Sequence, residues 1–443
     1  MSRLRFTTPA QKKASAWQSK AFYLSILAIA LASCAASPLD PPAPSGALTG
    51  RARMEGVFTD HSSIRLRLQG LGQKHETRTD GKGNFAFRDI PPGSYALTVE
   101  RDRYFPVTLP SVTVAAGSTV APVTLRNHRE LVALSGVYDA AQGEEAEEPE
   151  FGGMIPTRSP FLTNLALSPD GKRLGFIQAG EVRSVRLDGT ELRTEKALPA
   201  GTRADWVDWG ERGFLTRSWH ASGSAASASG SVTLLTPGGA RTLVPAGNDA
   251  VFAPVFSPDE QQVAYVRYVP SSKSPQLMRI SANGGSPVTL IDLLDRLNLR
   301  GIWDGTYGLM FAPLEWRPEG LMFHAPMTCN LERAGFTSGK DGIYTLRDVN
   351  APQAPDALHK AHFYSYYAHA FSHDGKRMLY AYGPQIRSKD LEDLVVTAPG
   401  SNVGNHSDEV LESLTPSPDG ERLFYLTPTG IEEMNLLGVS ASP

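Results

Sequence analysis

The stretch "NLALSPDGKRLGFI", residues 164 to 177, alternates apolar and polar positions on both sides of a Ser-Pro-Asp-Gly turn. Alternation of period two predicts strands, and the turn reverses the chain between them. The pattern recurs. "APVFSPDEQQVAYV" carries Ser257, Pro258 and Asp259; "AHAFSHDGKRMLYA" carries Ser372 and Asp374; "ESLTPSPDGERLFYL" carries Ser417, Pro418 and Asp419. The intervals between the serines are 89, 115 and 45 residues, so each long gap has room for another copy. Degenerate copies fill both: "ADWVDWGERGFLTRS" around Trp209, Gly210 and Glu211, and "FAPLEWRPEGLMFHA" around Arg317, Pro318, Glu319 and Gly320. Six units therefore start near 168, 209, 257, 317, 372 and 417.

Within each unit a strand enters, the turn reverses it, a central strand such as "RLGFI" or "RLFYL" follows, and a third strand ends in a turn such as "RLDGT". A four-stranded antiparallel sheet cannot bury both faces alone, so neighbouring sheets must stack, and radial stacking also protects their edges. This predicts a six-bladed β-propeller over residues 153–443, with a flat multi-sandwich as the alternative. The Ser-Pro-Asp-Gly turns, the apolar strand before each and the aromatic-bearing strand after each resemble the TolB-type propeller family. Asp170 and Asp419 read as caps on backbone amides rather than as metal ligands.

Residues 47–127 show a different strand pattern. In "TDGKGNFAFRDIPPGSYALTVE", Asp80-Gly81 and Gly83-Asn84 supply a turn, and Phe85 and Phe87 share one face. Ile90-Pro91-Pro92-Gly93 then makes a rigid turn, after which Tyr95, Leu97 and Val99 return along a neighbouring strand. A small antiparallel β-sandwich is expected. Thr79, Asp80, Gly81, Gly83, Phe85, the Ile90 to Gly93 turn and Tyr95 resemble the carboxypeptidase regulatory-like, transthyretin-like sandwich family. The resemblance implies a non-catalytic module for packing, display or recognition of peptide or carbohydrate. The whole chain is thus expected to be all-β: a small sandwich followed by the C-terminal propeller.

The N-terminus reads as processing rather than fold. Arg3, Arg5, Lys12, Lys13 and Lys20 precede an apolar stretch from Ala21 to Ala32 that is too short to remain as a spanning helix. Leu31, Ala32, Ser33 and Cys34 resemble a bacterial lipobox, which implies a signal peptide over 1–33 and lipidation of Cys34. Acyl chains there would hold the chain at the membrane. Ala35 in the second mature position favours the outer membrane by the sorting rule of such lipoproteins. Residues 34–46, with "PLDPPAPSG", read as a Pro-rich tether. Residues 128–152, with "GEEAEEPEFG", read as an acidic linker.

The formal charge of −3 falls to −8 once five basic residues leave with the signal, giving 38 Lys+Arg against 46 Asp+Glu. Nucleic acid is therefore not an expected partner. The two cysteines, Cys34 and Cys329, offer no disulfide once Cys34 is lipidated, and Cys329 reads as a buried or half-buried thiol. No Gly-x-Ser-x-Gly elbow, His-Glu-x-x-His or phosphate loop is present. The chain ends just after the last unit, so an appended catalytic domain is not expected, nor is a cofactor. His359, His362, His369 and His373 fall within 15 residues but read as loop, channel-wall or core positions rather than a metal site. Trp303, Tyr307, His324, Tyr366 and His369 are the candidate ligand face.

These observations lead to a lipid-anchored, non-enzymatic envelope protein whose propeller binds proteins or peptides. The alternative is a carbohydrate-binding or carbohydrate-active propeller, with acids such as Asp208, Asp304, Glu315 and Asp341 drawn from different blades.

Overall fold

The structure, a computed structural model, describes residues 45–55, 57, 59–134, 164–220, 230–269, 271, 274–293, 314–325, 342–352, 358–361, 369–372, 377–382, 385–390, 401–405, 412–427 and 430–436. Every named element among them is a strand, so the all-β expectation holds.

The N-terminal unit contains β1 (Gly46–Met54), β2 (Arg65–Gly70), β3 (Gln73–Arg78), β4 (Asn84–Ile90), β5 (Gly93–Glu100), β6 (Val107–Val114), β7 (Ser118–Thr119) and β8 (Val123–Leu125). One sheet has the order β3-β2-β5-β6; in the other, β1 pairs with β4, β7 and β8. Pairing is antiparallel except where β1 meets β7 and β8 in parallel. Their inner faces share one core that includes Leu48, Leu66, Leu68, Phe85, Phe87, Tyr95, Leu97 and Val99. The Ile90 to Gly93 turn carries the chain from one sheet to the other, since β4 pairs with β1 and β5 with β2. Phe85 and Tyr95 therefore share the core from opposite sheets instead of lying on adjacent strands. Tyr95 Oη donates to the Pro91 carbonyl at 2.8 Å and fixes that crossing. Asp80 Oδ1 accepts the Lys82 and Asn84 N–H groups at 2.9 and 2.8 Å, which explains the Asp in that turn.

β9 (His128–Ala133) follows, and then come six four-stranded sheets. The first holds β10 (Ala166–Leu167), β11 (Arg173–Gln178), β12 (Glu181–Arg186) and β13 (Arg193–Ala197). The second holds β14 (Thr202–Gly210), β15 (Gly213–His220), β16 (Ser231–Thr236) and β17 (Gly239–Val244). The third holds β18 (Ala250–Phe256), β19 (Gln262–Val269), β20 (Ser274–Ser281) and β21 (Val288–Asp292). The fourth holds β22 (Glu315–Arg317), β23 (Gly320–Ala325), β24 (Gly342–Leu346) and β25 (Leu358–Ala361). The fifth holds β26 (His369–Phe371), β27 (Arg377–Tyr382), β28 (Gln385–Asp390) and β29 (Ser401–Asn405). The sixth holds β30 (Glu412–Pro416), β31 (Arg422–Thr427), β32 (Gly430–Asn435) and, as its fourth strand, β9. Residues 128–133 are thus a strand rather than the start of a linker, and 135–152 lie outside the described residues.

The Ser-Pro-Asp turns close the first hairpin of their sheets through side chains. Ser168 Oγ donates to Asp170 at 2.7 Å and accepts the Arg173 N–H at 2.9 Å, while Asp170 accepts the Lys172 N–H at 3.1 Å. Ser257 with Gln262, and Ser417 with Arg422, repeat the serine acceptor at 2.9 Å. The two degenerate copies solve the same problem with a shorter turn. Gly210 pairs with Gly213 around Glu211-Arg212, and Arg317 pairs with Gly320 around Pro318-Glu319. Gly213 and Gly320 sit at φ values of 130° and 144°, which side chains rarely adopt. A glycine thus stands where the other sheets use a capped serine turn.

Adjacent sheets share apolar cores. Leu165, Leu174, Phe176 and Val185 of the first pack with Phe424, Leu426 and Ile431 of the sixth, and Trp206 of the second packs with Ala253 and Val255 of the third. The expected six-bladed propeller, and with it the TolB-type resemblance, is nevertheless corrected here. Every sheet among the described residues is open and none closes on itself. The repeated turn specifies a hairpin and a four-stranded unit; it does not specify how the edge strands of that unit pair, and here they leave each sheet open. The propeller as the scaffold for protein or peptide binding, and the propeller-based carbohydrate-binding or carbohydrate-active alternative, are corrected with it.

Candidate functional site

The titratable groups with the largest shifts lie on the first strands of the second and fourth sheets. Asp208 lies near the end of β14, before Trp209 and Gly210, and its Oδ2 accepts the Phe256 N–H of β18 at 2.8 Å. Burial pushes its carboxyl up to about 6 against that hydrogen bond, with Glu260 adding to the rise. Glu315, on β22, is pushed up to about 7, first by burial, with Asp208 contributing and Arg317 opposing. Arg317 Nε donates to Glu315 Oε1 at 2.7 Å. The side chain of Glu315 keeps 35% of its surface exposed, so water moderates this shift. Two of the four acids singled out in the sequence therefore sense one another, while Asp304 and Asp341 lie outside the described residues.

Around them the polar groups link sheets. Glu260 accepts the Glu211 and Arg212 N–H groups at 2.7 and 2.9 Å, so the third sheet's turn caps the second sheet's hairpin. Asp205 and Arg217 form a buried ion pair, and Arg217 lies over the Phe252 ring at 4.6 Å. Burial raises the Asp205 carboxyl, with Arg217 opposing. Trp206 Nε1 donates to the Pro254 carbonyl at 3.0 Å. The Asn164 amide accepts the Val207 N–H and donates to the Val207 carbonyl, both at 2.7 Å, copying a strand pairing with one side chain. Among the described residues no group of three or more His, Cys, Asp or Glu is placed to hold a metal ion. This arrangement can take up protons near neutral pH and can hold sheets in register.

A second polar cluster joins the sandwich to the sixth sheet. His128 Nε2 lies 2.9 Å from Glu55 Oε2, and its Nδ1 lies 3.4 Å from Glu432 Oε2. Burial works to lower the His128 value and is outweighed by the Glu432 hydrogen bond and the charge of Glu55, so the net direction is up. Arg129 and Arg422 converge on Glu433, Asn127 Nδ2 donates to the Asn435 carbonyl at 3.2 Å, and Arg103 meets Glu421 at 3.2 Å. The pairings of Arg129 with Glu433, Asn127 with Asn435 and Arg103 with Glu421 are not visible in the sequence, because the partners lie 304, 308 and 318 residues apart.

These groups give stability a definite pH dependence. Asp208, Glu315 and His128 each hold a proton more tightly folded than unfolded, so protonation favours the fold. The carboxyl contributions are complete below the ordinary values of 3.8 and 4.5 and fade as pH rises through about 6 and about 7. The His128 contribution is complete below 6.5 and fades as pH rises through its raised folded value. Urea midpoints measured from pH 4 to 9 are expected to fall with pH across this window. Glu315→Gln removes the part of the slope between 4.5 and about 7, and His128→Gln the part above 6.5. Unchanged slopes in both variants refute the assignment.

Of the candidate ligand face, His324 lies on β23 opposite Ile343, and His369 lies on β26 opposite Tyr380, on different sheets. Trp303, Tyr307 and Tyr366 lie outside the described residues, as do Cys34, Cys329, His362 and His373; His359 lies on β25.

Residues 53–126 match the carboxypeptidase regulatory-like domain family. The comparison with curated proteins finds no match. Among solved structures, a gluconolactonase from Xanthomonas campestris is 14% identical over 62% of this chain and 86% of its own, with a TM-score of 0.41. TolB from Acinetobacter baumannii is 13% identical over 62% of this chain and 63% of its own, with a TM-score of 0.39. A putative TolB from Agrobacterium tumefaciens is 14% identical over 63% of this chain and 92% of its own, with a TM-score of 0.37. At these scores the likenesses assign neither architecture nor activity to this chain.

Proposed function

We propose that the chain is an exported protein of the cell envelope, held at the outer membrane by acyl chains on Cys34, that binds envelope proteins or peptides and performs no catalysis of its own. The run Leu31-Ala32-Ser33-Cys34 behind a basic and an apolar stretch carries this reading. The chain is consistent with an envelope protein, and among the described residues no helix is long and apolar enough to cross a membrane. The absence of catalysis is supported by the way the raised acids are used. Asp208 is bonded to the Phe256 backbone and Glu315 to Arg317, so both serve contacts within the fold.

The test is a pull-down of the mature, membrane-tethered protein from solubilised envelope, scored by mass spectrometry against a control lacking residues 127–443. The expected result is a protein or peptide retained by the whole chain and lost from the control. Retention of no protein, together with turnover of an envelope glycan by the purified chain, overturns the reading.

A further inference from the structure

Charge is divided unevenly between the two parts of the chain. Residues 46–126 carry 11 Lys+Arg against 7 Asp+Glu, a net of +4, whereas residues 127–443 carry 27 against 38, a net of −11. On the sheet β3-β2-β5-β6, Leu66, Leu68, Leu97 and Val99 point into the core, so alternation turns Arg65 and Arg67 outward. Across the pairing Arg65 faces Arg78 and Gln69 faces Lys74. Two acids share this face and both are taken up. Glu100 meets Arg65 at 2.6 Å and Arg67 at 3.0 Å, and Glu76 meets Arg67 at 3.2 Å and Lys74 at 2.9 Å.

Arg78 and Arg101 are left without a carboxylate within ion-pair distance among the described residues. Each instead donates from Nη1 to the same acceptor, the Ser63 carbonyl, at 3.2 Å. Asp60 lies within electrostatic reach of Arg101, but its carboxylate is bonded to the Ser62 N–H and hydroxyl at 2.8 and 3.1 Å. One carbonyl dipole does not neutralise two guanidinium groups, and their remaining N–H donors form a fork suited to a phosphate. The sandwich is also the first described part of the chain after Cys34. The twelve residues to Gly46 reach about 37 Å at most as an extended Pro-rich segment.

We propose that this face rests on the anionic phospholipid headgroups of the membrane that carries the tether, with a headgroup phosphate received between Arg78 and Arg101. The acidic remainder is repelled from the same surface, which turns the six sheets away from it. Nearness to the membrane rests on the lipidation reading; affinity of the face does not.

The test therefore uses the chain from residue 35 on, which lacks the acylated cysteine and keeps every described residue. Sedimentation with phosphatidylcholine vesicles, with and without phosphatidylglycerol, is expected to show binding only to the anionic set, weakening as salt rises. Each charge removed in the Arg78→Gln and Arg101→Gln variants is expected to weaken binding about fivefold. R78K/R101K, which keeps the charge and loses the fork, falls between. Lys82→Gln, in the turn before β4, with Arg88→Gln on β4 of the opposite sheet, is expected to change binding by no more than about twofold. Equal binding to both vesicle sets, no binding to either, or an equal loss in the Lys82 and Arg88 variant each overturns the proposal.

Discussion

Glu433→Ala lowers the free energy of unfolding by about 3 kcal/mol, as measured by urea denaturation. Glu433 is 1% exposed and accepts Arg129 Nε at 2.7 Å and Nη2 at 2.6 Å, with Arg422 Nη1 at 3.4 Å. Removing one partner of a buried pair ordinarily costs 3 to 5 kcal/mol, roughly, because the other charge stays buried. Here the arginine side chains are 52% and 30% exposed and regain water, which places the loss at the low end. The variant also weakens the pairing of β9 with β32, in which Arg129 faces Glu433 directly. Glu130→Ala, at an exposed position of the same strand, is expected to stay within about 0.5 kcal/mol of the parent. Equal losses in the two variants refute the claim that Glu433 secures this strand.

Gly213→Ala is expected to cost about 3 kcal/mol, and Gly320→Ala a similar amount. A Cβ at Gly213 would stand 2.1 Å from the Leu235 carbonyl oxygen, and one at Gly320 would stand 2.5 Å from that of Leu346. Both obstacles are backbone atoms of the neighbouring strand, which cannot rotate away. Gly239 separates the two causes, since its φ of 138° is similar while nothing lies within 4 Å of its Cβ position. Gly239→Ala should therefore show only the backbone strain, about 1 to 2 kcal/mol. The same loss at all three glycines would mean that the close approach contributes nothing.

These two predictions mark what the sequence discloses. Hairpins were legible because strand alternation and turn chemistry are local: Ser168, Asp170 and Asp80 make their defining bonds within five residues. The degenerate copies at Trp209 and Trp316 were legible as units, although the reason for their departure, a glycine at positive φ in place of a serine cap, appears only in the fold. The Ile90 to Gly93 turn is legible, but a turn motif does not say which sheet receives the chain, and here β5 joins the sheet opposite β4. β9 has no local signal of its own. "HRELVA" is a short strand flanked by an acidic run, and its partner β32 lies some 300 residues on. Closure of the repeats is not legible either, since pattern fixes each unit and not how its edge strands pair. Asp208 and Glu315 were picked out as acids, but their raised values come from burial between sheets that no local pattern reveals.

The central claim is that the chain is held in the envelope by lipid on Cys34, and the mass of the N-terminal peptide of the protein extracted from membranes tests it most directly. The account predicts a chain that begins at Cys34 and carries a diacylglyceryl group and an amide-linked acyl chain, with Cys34→Ser abolishing both the modification and membrane fractionation. An unmodified Cys34 in membrane-derived protein would contradict it, and so would an intact N-terminus beginning at Met1.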